Sequence, residues 1–303
     1  MQSGRFLEGE WSLSPSQWIQ VPLEDAVVEA QVRGIGEPVV LIQTAVTADE
    51  FLPLAVQLEL AHAYQVVVYH RRGYAGSSPV DGPGSLERDA RDCEHLLDAL
   101  GAEKAHLFGG SYSGAVALQL AASVPNRVHT LCLAEPPPVH TPMADEFRNA
   151  NAELTAYHRQ HGSAAAMNYF LTHLMGSGWR TDLEAVLPGA TAQVERDADT
   201  FFTTDIPSLL AWRFAADDAA RITQPVLYVG GSESGPWFTE VRDLMLRWLP
   251  QAQEVTISGA GHSLALTHAP QLAAAFSAFL GDHPMERHQG KSRPEPATPP
   301  LGD

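Results

Sequence analysis

Cysteine and lysine are both scarce in this chain of 303 residues. The two cysteines, Cys93 and Cys132, form no Cys-x-x-Cys pair, which excludes a disulfide scaffold, so both are expected to be small buried thiols. Lysine occurs only at Lys104 and Lys291 while arginine is plentiful, a bias typical of bacteria with GC-rich genomes.

Long apolar runs are also absent. No run approaches the roughly 18 residues that a membrane span needs, and the first residues, MQSGRFLEGEWSLS, lack the apolar region of a signal peptide. The formal net charge of −17 argues against nucleic acid and anionic lipid as partners. The sequence therefore predicts a cytoplasmic protein whose partner is a small-molecule substrate, with a homodimer left open.

What is present is an alternation of strand-like and helix-like segments. Short apolar runs predict strands at 26–32, 38–42, 65–69, 104–108, 127–134, 225–229 and 254–257. Helical spacing lies between them at 47–62, 86–100, 115–124, 237–249 and 271–280. Such alternation predicts an α/β fold with a mostly parallel sheet and helices on both faces.

The alternation is interrupted once. From 139 to 221 the strand-like runs disappear and aromatic-rich amphipathic segments replace them, which predicts a helical cap inserted into the sheet domain. Residues 1–138 and 222–282 would then form the core. The last stretch, 283–303, is rich in proline and charge and poor in apolar residues, so we expect it to be disordered.

A serine lies in a tight strand-to-helix turn, Gly109-Gly110-Ser111-Tyr112-Ser113-Gly114. A nucleophilic serine in such a turn adopts a strained backbone, and the residues two positions before and after it must be small. Gly109 and Ser113 meet this need, although the pattern is GxSxS rather than the usual GxSxG. A glycine-rich loop without chemistry is the alternative interpretation.

Serine needs a general base, and histidine is the usual one near neutral pH. Of 13 histidines, His262 has the most suggestive setting, since it follows a short predicted strand in Gly259-Ala260-Gly261-His262. Loops at the carboxyl ends of strands hold the sites of open α/β sheets. His268, six residues further on, is the alternative base.

Together these features resemble the α/β-hydrolase superfamily. The resemblance covers about 26–280 and includes the elbow serine, the loop Arg72-Gly73-Tyr74-Ala75-Gly76-Ser77, similar to the family's RGxGxS, and the late Gly-His. It implies a mostly parallel eight-stranded sheet and a Ser–acid–His triad in this chain order.

The chain departs from the family at the oxyanion loop, where Gln43-Thr44-Ala45 replaces the usual His-Gly. Backbone donors need no particular side chain, so we assign the oxyanion hole to the N–H groups of Ala45 and Tyr112.

The acid of the triad is the second departure. The family's usual aspartate after the seventh strand aligns with Ser234, which cannot carry a charge. Glu135, at the end of the sixth strand, is our preferred acid, because haloalkane dehalogenases and zearalenone-type lactonases place a glutamate there. Glu233, beside Ser234, is the alternative.

A serine nucleophile points to attack on a carbonyl. We expect an ester or lactone hydrolase acting on a small apolar or aromatic substrate, with no cofactor and no metal. Trp179 and Trp212 of the cap are the candidate substrate-binding residues, although aromatic residues there also suit the cap's own core. Hydrolysis of a C–C bond in a diketone, and a non-hydrolytic ligand-binding or cofactor-free member of the fold, remain alternatives.

Overall fold

A computed structural model describes residues 17–57, 64–80 and 83–285. An eight-stranded sheet runs through them in the order β1-β2-β4-β3-β5-β6-β7-β8. The strands are β1 (Ile19–Pro22), β2 (Val27–Arg33), β3 (Glu37–Ile42), β4 (Tyr64–Tyr69), β5 (Ala105–Gly110), β6 (Val128–Ala134), β7 (Val226–Gly231) and β8 (Ala252–Ile257). Pairing is antiparallel from β1 to β2 and from β2 to β4, and parallel elsewhere. The predicted α/β class is confirmed.

Helices cover both faces of the sheet. They are α1 (Leu52–Ala55), α2 (Leu86–Ala99), α3 (Tyr112–Ser123), α4 (Ala144–His161), α5 (Ser163–Met175), α6 (Trp179–Val186), α7 (Ala190–Arg196), α8 (Ala198–Thr200), α9 (Ile206–Ala211), α10 (Ala216–Ala219), α11 (Pro236–Trp248), α12 (Leu264–Thr267) and α13 (Ala269–Asp282). A 3₁₀ turn at Pro125–Arg127 precedes β6, and a π-helical turn at Phe201–Asp205 joins α8 to α9.

Two elements differ from the sequence-based prediction. The edge strand β1 was not predicted, because only four residues form it and their burial merely alternates. The helix predicted at 47–62 is reduced to Leu52–Ala55 in the described residues, since 47–51 form turns and 58–63 lie outside them.

The alternating side chains of the strands build two hydrophobic cores, one on each face. On β3, Val40 and Ile42 pack into the cluster beneath α2 and α3, whereas Val39 and Leu41 pack into the cluster beneath α1 and α13. Because these strands are buried on both faces, their sequences are nearly unbroken apolar runs. A third cluster fills the helical segment between β6 and β7.

That segment contains only helices and turns in the continuously described range 83–285, as a cap insertion would. Whether the core and cap divide at 138/139 and 221/222 stays a prediction. All but three residues of the predicted tail lie outside the described residues. Cys93 and Cys132 are buried, free thiols. Within the described ranges, no helix has the length and apolarity to cross a membrane.

Candidate active site

Ser111 lies in a strained turn between β5 and α3. Its backbone has φ 49° and ψ −125°, a combination that non-glycine residues rarely adopt. A Cβ at Gly109 would lie 2.3 Å from the carbonyl oxygen of Ser113, so only glycine fits there. The Ser111 N–H donates to the Ala134 carbonyl at 2.9 Å, which fixes the turn to the neighbouring strand β6.

Ser111, His262 and Glu135 form one chain of hydrogen bonds. The Ser111 hydroxyl lies 3.0 Å from His262 Nε2, and His262 Nδ1 lies 2.8 Å from Glu135 Oε2. A carboxylate only accepts, so Nδ1–H donates to Glu135, and Nε2 is left to accept the serine proton. The His262 side chain is 17% exposed, so most of the imidazole is shielded from water. This arrangement suits proton removal from a serine nucleophile.

Glu135 is held at the end of β6, in a backbone with φ 48°. Its carboxylate is 1% exposed. The second oxygen, Oε1, accepts the N–H of Gly231 from β7 at 2.8 Å. Both carboxylate oxygens therefore have donors, which offsets the cost of burying the charge.

The alternative acid and base lie apart from this chain. Glu233 is exposed, and its backbone N–H donates to the Ala260 carbonyl at 2.8 Å. The recorded side-chain hydrogen bond of His268 joins Nδ1 to Thr267 Oγ1 at 2.8 Å. Neither forms a recorded side-chain hydrogen bond with Ser111 or His262 in the described residues.

The two assigned oxyanion donors lie on adjacent elements. Tyr112 is the first residue of α3, where backbone N–H groups have no acceptor within the helix. Ala45 belongs to the loop after β3, which lies beside the elbow because Ile42 is in register with Gly109. Ala45 is half-buried, and its carbonyl accepts the N–H of Thr47 at 2.9 Å.

The two tryptophans assigned to substrate are packed inside hydrophobic clusters. Trp179 is 1% exposed in the cluster of the helical segment between β6 and β7, and Trp212 is 3% exposed in the cluster beneath α3. Their indole N–H groups donate to Asn168 and Gln119. No recorded ring contact or hydrogen bond joins either to the triad in the described part of the chain, so substrate contact by them stays a prediction.

An aromatic residue that the sequence did not single out contacts the imidazole instead. Phe238, on α11, stacks on His262 with ring centroids 3.9 Å apart and an interplanar angle of 14°. The stack covers one face of the base with apolar surface. No local motif marks Phe238, since it is one of several apolar residues on an amphipathic helix.

Comparison with known proteins identifies the fold family of this chain. A family model described as the alpha/beta hydrolase fold matches residues 37–269. Over 238 residues the chain is 26% identical to the polyketide synthase ThaQ of Burkholderia thailandensis, a match that covers 74% of this chain and 11% of the synthase. The chain therefore spans only a small part of that relative.

Solved structures with the same fold include two hydrolases. A thermophilic esterase from Thermogutta terrifontis superposes with a TM-score of 0.73 at 21% identity, covering 88% of this chain and all of the esterase chain. An enol-lactonase from Burkholderia xenovorans superposes with a TM-score of 0.71 at 19% identity, covering 87% of this chain and all of the lactonase chain. At these identities the likeness concerns the fold.

Proposed function

Because the chain belongs to the α/β-hydrolase fold family, we propose that it is a serine hydrolase that cleaves the ester or lactone carbonyl of a small apolar substrate. The observation that carries this proposal is the hydrogen-bonded chain Ser111–His262–Glu135 at the carboxyl edge of the sheet. The esterase and lactonase of the same fold support hydrolysis as the class of reaction.

In the first half of the reaction, His262 removes the proton of Ser111 as its Oγ attacks the carbonyl carbon. Glu135 stabilises the resulting imidazolium through Nδ1–H. The N–H groups of Tyr112 and Ala45 hold the oxyanion, and each such donor contributes about 3 kcal/mol to lowering the barrier. His262 then gives its proton to the departing alkoxide, which leaves an acyl group on Ser111.

In the second half, water enters and His262 removes its proton while the oxygen attacks the acyl carbon. The same donors hold the second oxyanion, and the proton returns to Ser111 as the acid is released. In a lactone the alkoxide stays tethered to the acyl group, so the product is one hydroxy acid. Phe238 over His262 supports an apolar substrate, since it presents a ring rather than a polar group beside the base.

The test is pre-steady-state release of nitrophenol from a short nitrophenyl ester. Wild type should give a burst equal to the enzyme concentration, and Ser111→Ala should remove the burst and lower turnover by about 10⁴-fold or more. Ser123→Ala, on the exposed far end of the same helix, is the matched control and should behave like wild type. Equal rates for wild type and Ser111→Ala would reject the nucleophile.

A substrate panel separates the finer alternatives. Lactones and short esters should be hydrolysed with loss of activity in Ser111→Ala. Turnover of a diketone with no turnover of either would favour C–C bond hydrolysis. Tight binding of small apolar ligands without any turnover would favour a ligand-binding member of the fold.

A further inference from the structure

The most completely bonded buried charge outside the triad is Arg71, just after β4. Its side chain is 3% exposed. Five hydrogen bonds leave the guanidinium, matching its five N–H donors: Nε to Gln43 O, one terminal nitrogen to Asp89 and Asp205, and the other to Thr44 O and Asp205. A group bonded in this way has one orientation only.

Arg71 holds the loop that carries Ala45. It donates to the carbonyls of Gln43 at 3.0 Å and Thr44 at 3.3 Å, the two residues before Ala45. The backbone N–H of Arg71 also donates to Gln43 Oε1 at 2.6 Å. The peptide plane that presents the Ala45 N–H contains the Thr44 carbonyl, so a bond to that oxygen orients the proposed oxyanion donor.

The same guanidinium holds Tyr112, the other proposed donor. Its carbon lies 4.2 Å from the centre of the Tyr112 ring, a cation–π distance. The Tyr112 hydroxyl donates to Asp89 at 2.9 Å, and Asp89 accepts from Arg71 at 2.7 Å. The carbonyl of the peptide that precedes Ala45 and the ring of Tyr112 therefore both contact one buried cation.

The cap supplies one of the two carboxylates that pair with Arg71, the other being Asp89 on α2. Asp205 ends the π-helical turn and accepts two bonds from Arg71, at 3.1 and 2.8 Å. Tyr74 donates its hydroxyl to Asp205 at 2.5 Å and accepts the N–H of Val46 at 3.1 Å, which reaches the residue directly after Ala45. Val46 has φ 72°, a strained value that needs such support.

A second cap residue clamps the same loop. Gln193 accepts the N–H of Ala48 at 3.0 Å and donates to the Val46 carbonyl at 3.3 Å. The cap thus bonds the backbone at Val46 and Ala48, just after the part of the loop that Arg71 bonds at Gln43 and Thr44.

Burial and charge act in opposite directions on this cluster: burial raises the pKa of Asp205, and the Arg71 charge opposes that rise. Burial alone would lower the pKa of Arg71, but the charges of Asp205 and Asp89 raise the pKa well above its usual range. Removing one partner of a buried, hydrogen-bonded ion pair leaves a charge without compensation, so the rest of the cluster must rearrange.

From these contacts we infer that Arg71 and Asp205 are positioning residues that fix the orientation of the two oxyanion donors. The cap, which contains Asp205, therefore contributes to the geometry of the oxyanion hole. This inference rests on the proposed hydrolytic function. It predicts that loss of the Arg71–Asp205 contact raises the free energy of the transition state more than it weakens substrate binding.

The test compares two buried Asp–Arg pairs in neighbouring positions. Asp205→Asn removes the charge that holds Arg71. Asp92→Asn is the matched control, because Asp92 also receives two bonds from its arginine, Arg72, at 2.7 and 2.6 Å, but within the described residues it makes no hydrogen bond to the oxyanion loop or Tyr112. Folding is checked by circular dichroism and thermal unfolding.

Two readouts separate positioning from general damage. Asp205→Asn should lower kcat about 30-fold with KM changed less than about threefold, since a misplaced donor loses transition-state binding. It should weaken inhibition by a trifluoromethyl ketone, whose serine adduct carries an oxyanion, by a similar factor. Asp92→Asn should keep kcat and the affinity for the inhibitor within about threefold of wild type.

A milder variant covers the case in which Asp205→Asn fails to fold. Tyr74→Phe removes only the hydroxyl between Asp205 and the Val46 N–H, and should lower kcat about fivefold with the same loss of inhibitor affinity. Unchanged kcat and inhibitor affinity in both folded variants would overturn the inference, as would an equal effect of Asp92→Asn. Because Ser111→Ala is assayed alongside, a failure of the proposed function would appear separately, as activity that does not need the serine.

Discussion

Ser113 occupies a position at which α/β-hydrolases usually have glycine. The residue is fully buried, and its hydroxyl accepts the N–H of Gly110 and donates to the Gly110 carbonyl, each at 3.0 Å. The side chain therefore ties the start of α3 to the end of β5, on either side of Ser111. The serine substitutes for glycine because it is small and because both of its bonds close within the turn.

At the residue scale, turnover should depend strongly on the charge of Glu135. Glu135→Gln keeps the shape but provides an amide where His262 Nδ1–H needs a carboxylate, so kcat should fall by about 10³-fold or more. Glu233→Gln, at an exposed position two residues after Gly231, should leave kcat unchanged. Steady-state hydrolysis of one ester by both variants decides between them, and the reverse pattern would contradict the assignment.

At the same scale, the sequence is most informative where chemistry follows a local pattern. Ser111 and His262 could be singled out because each sits in a glycine-rich turn after a strand. Arg71 and Asp205 could not, because 134 positions separate them along the chain and neither belongs to a motif. The pair becomes visible only when the helical segment between β6 and β7 is seen packed beside the end of β4.

Among the elements, the segment between β3 and α1 shows where propensity fails. Its apolar spacing predicts a helix, but 47–51 form turns. Val46, just before these turns, has φ 72°, outside the helical region, and the N–H of Ala48 donates to Gln193, a bond that joins residues 145 positions apart. Strands and long helices were predictable because burial on the sheet imposes their periodicity, whereas this loop is shaped by contacts from the helical segment between β6 and β7.

The β5–α3 junction should tolerate no added atom. Gly109→Ala places a methyl 2.3 Å from the Ser113 carbonyl oxygen and 2.9 Å from the Ala117 methyl, so the junction must shift and the free energy of unfolding should fall by about 3 kcal/mol or more. Urea denaturation measures the loss.

A second glycine gives the control for that measurement. Gly281, within α13, has no atom within 4 Å of an added Cβ, so Gly281→Ala should be neutral or stabilise by about 0.5–1 kcal/mol. Equal effects of the two substitutions would show that the crowding at Gly109 is relieved without cost.

At the scale of the whole molecule, histidines shielded from water make the free energy of unfolding depend on pH. His106 on β5 bridges three strands, with Nδ1 2.8 Å from Thr130 Oγ1 on β6 and Nε2 3.1 Å from Glu37 on β3. Burial lowers the pKa of His106 to about 4. Burial also lowers the pKa of His140, beside Trp212, to about 4.

Stability should therefore fall on acidification through the window between these values and the ordinary histidine pKa of 6.5. In that window the unfolded chain binds protons that the folded chain does not, so stability is complete above it and declines as the pH falls toward about 4. His106→Gln should remove up to about 3 kcal/mol of this decline. Urea unfolding at several pH values measures it.

The control for the pH series is a histidine that folding leaves in water. His161, at the end of α4, is exposed, and His161→Gln should reproduce the wild-type slope. A slope unchanged by His106→Gln would mean that this imidazole takes up its proton without unfolding the sheet.

Two members of the triad share an unusual backbone. Ser111 and Glu135 follow neighbouring strands, and both have positive φ, at 49° and 48°. Each such residue costs of the order of 1–3 kcal/mol compared with a relaxed backbone, and glycine would relieve that cost. Selection for thermal stability alone would therefore favour glycine in place of the proposed nucleophile and the proposed acid, so directed evolution toward higher thermal stability has to screen turnover as well.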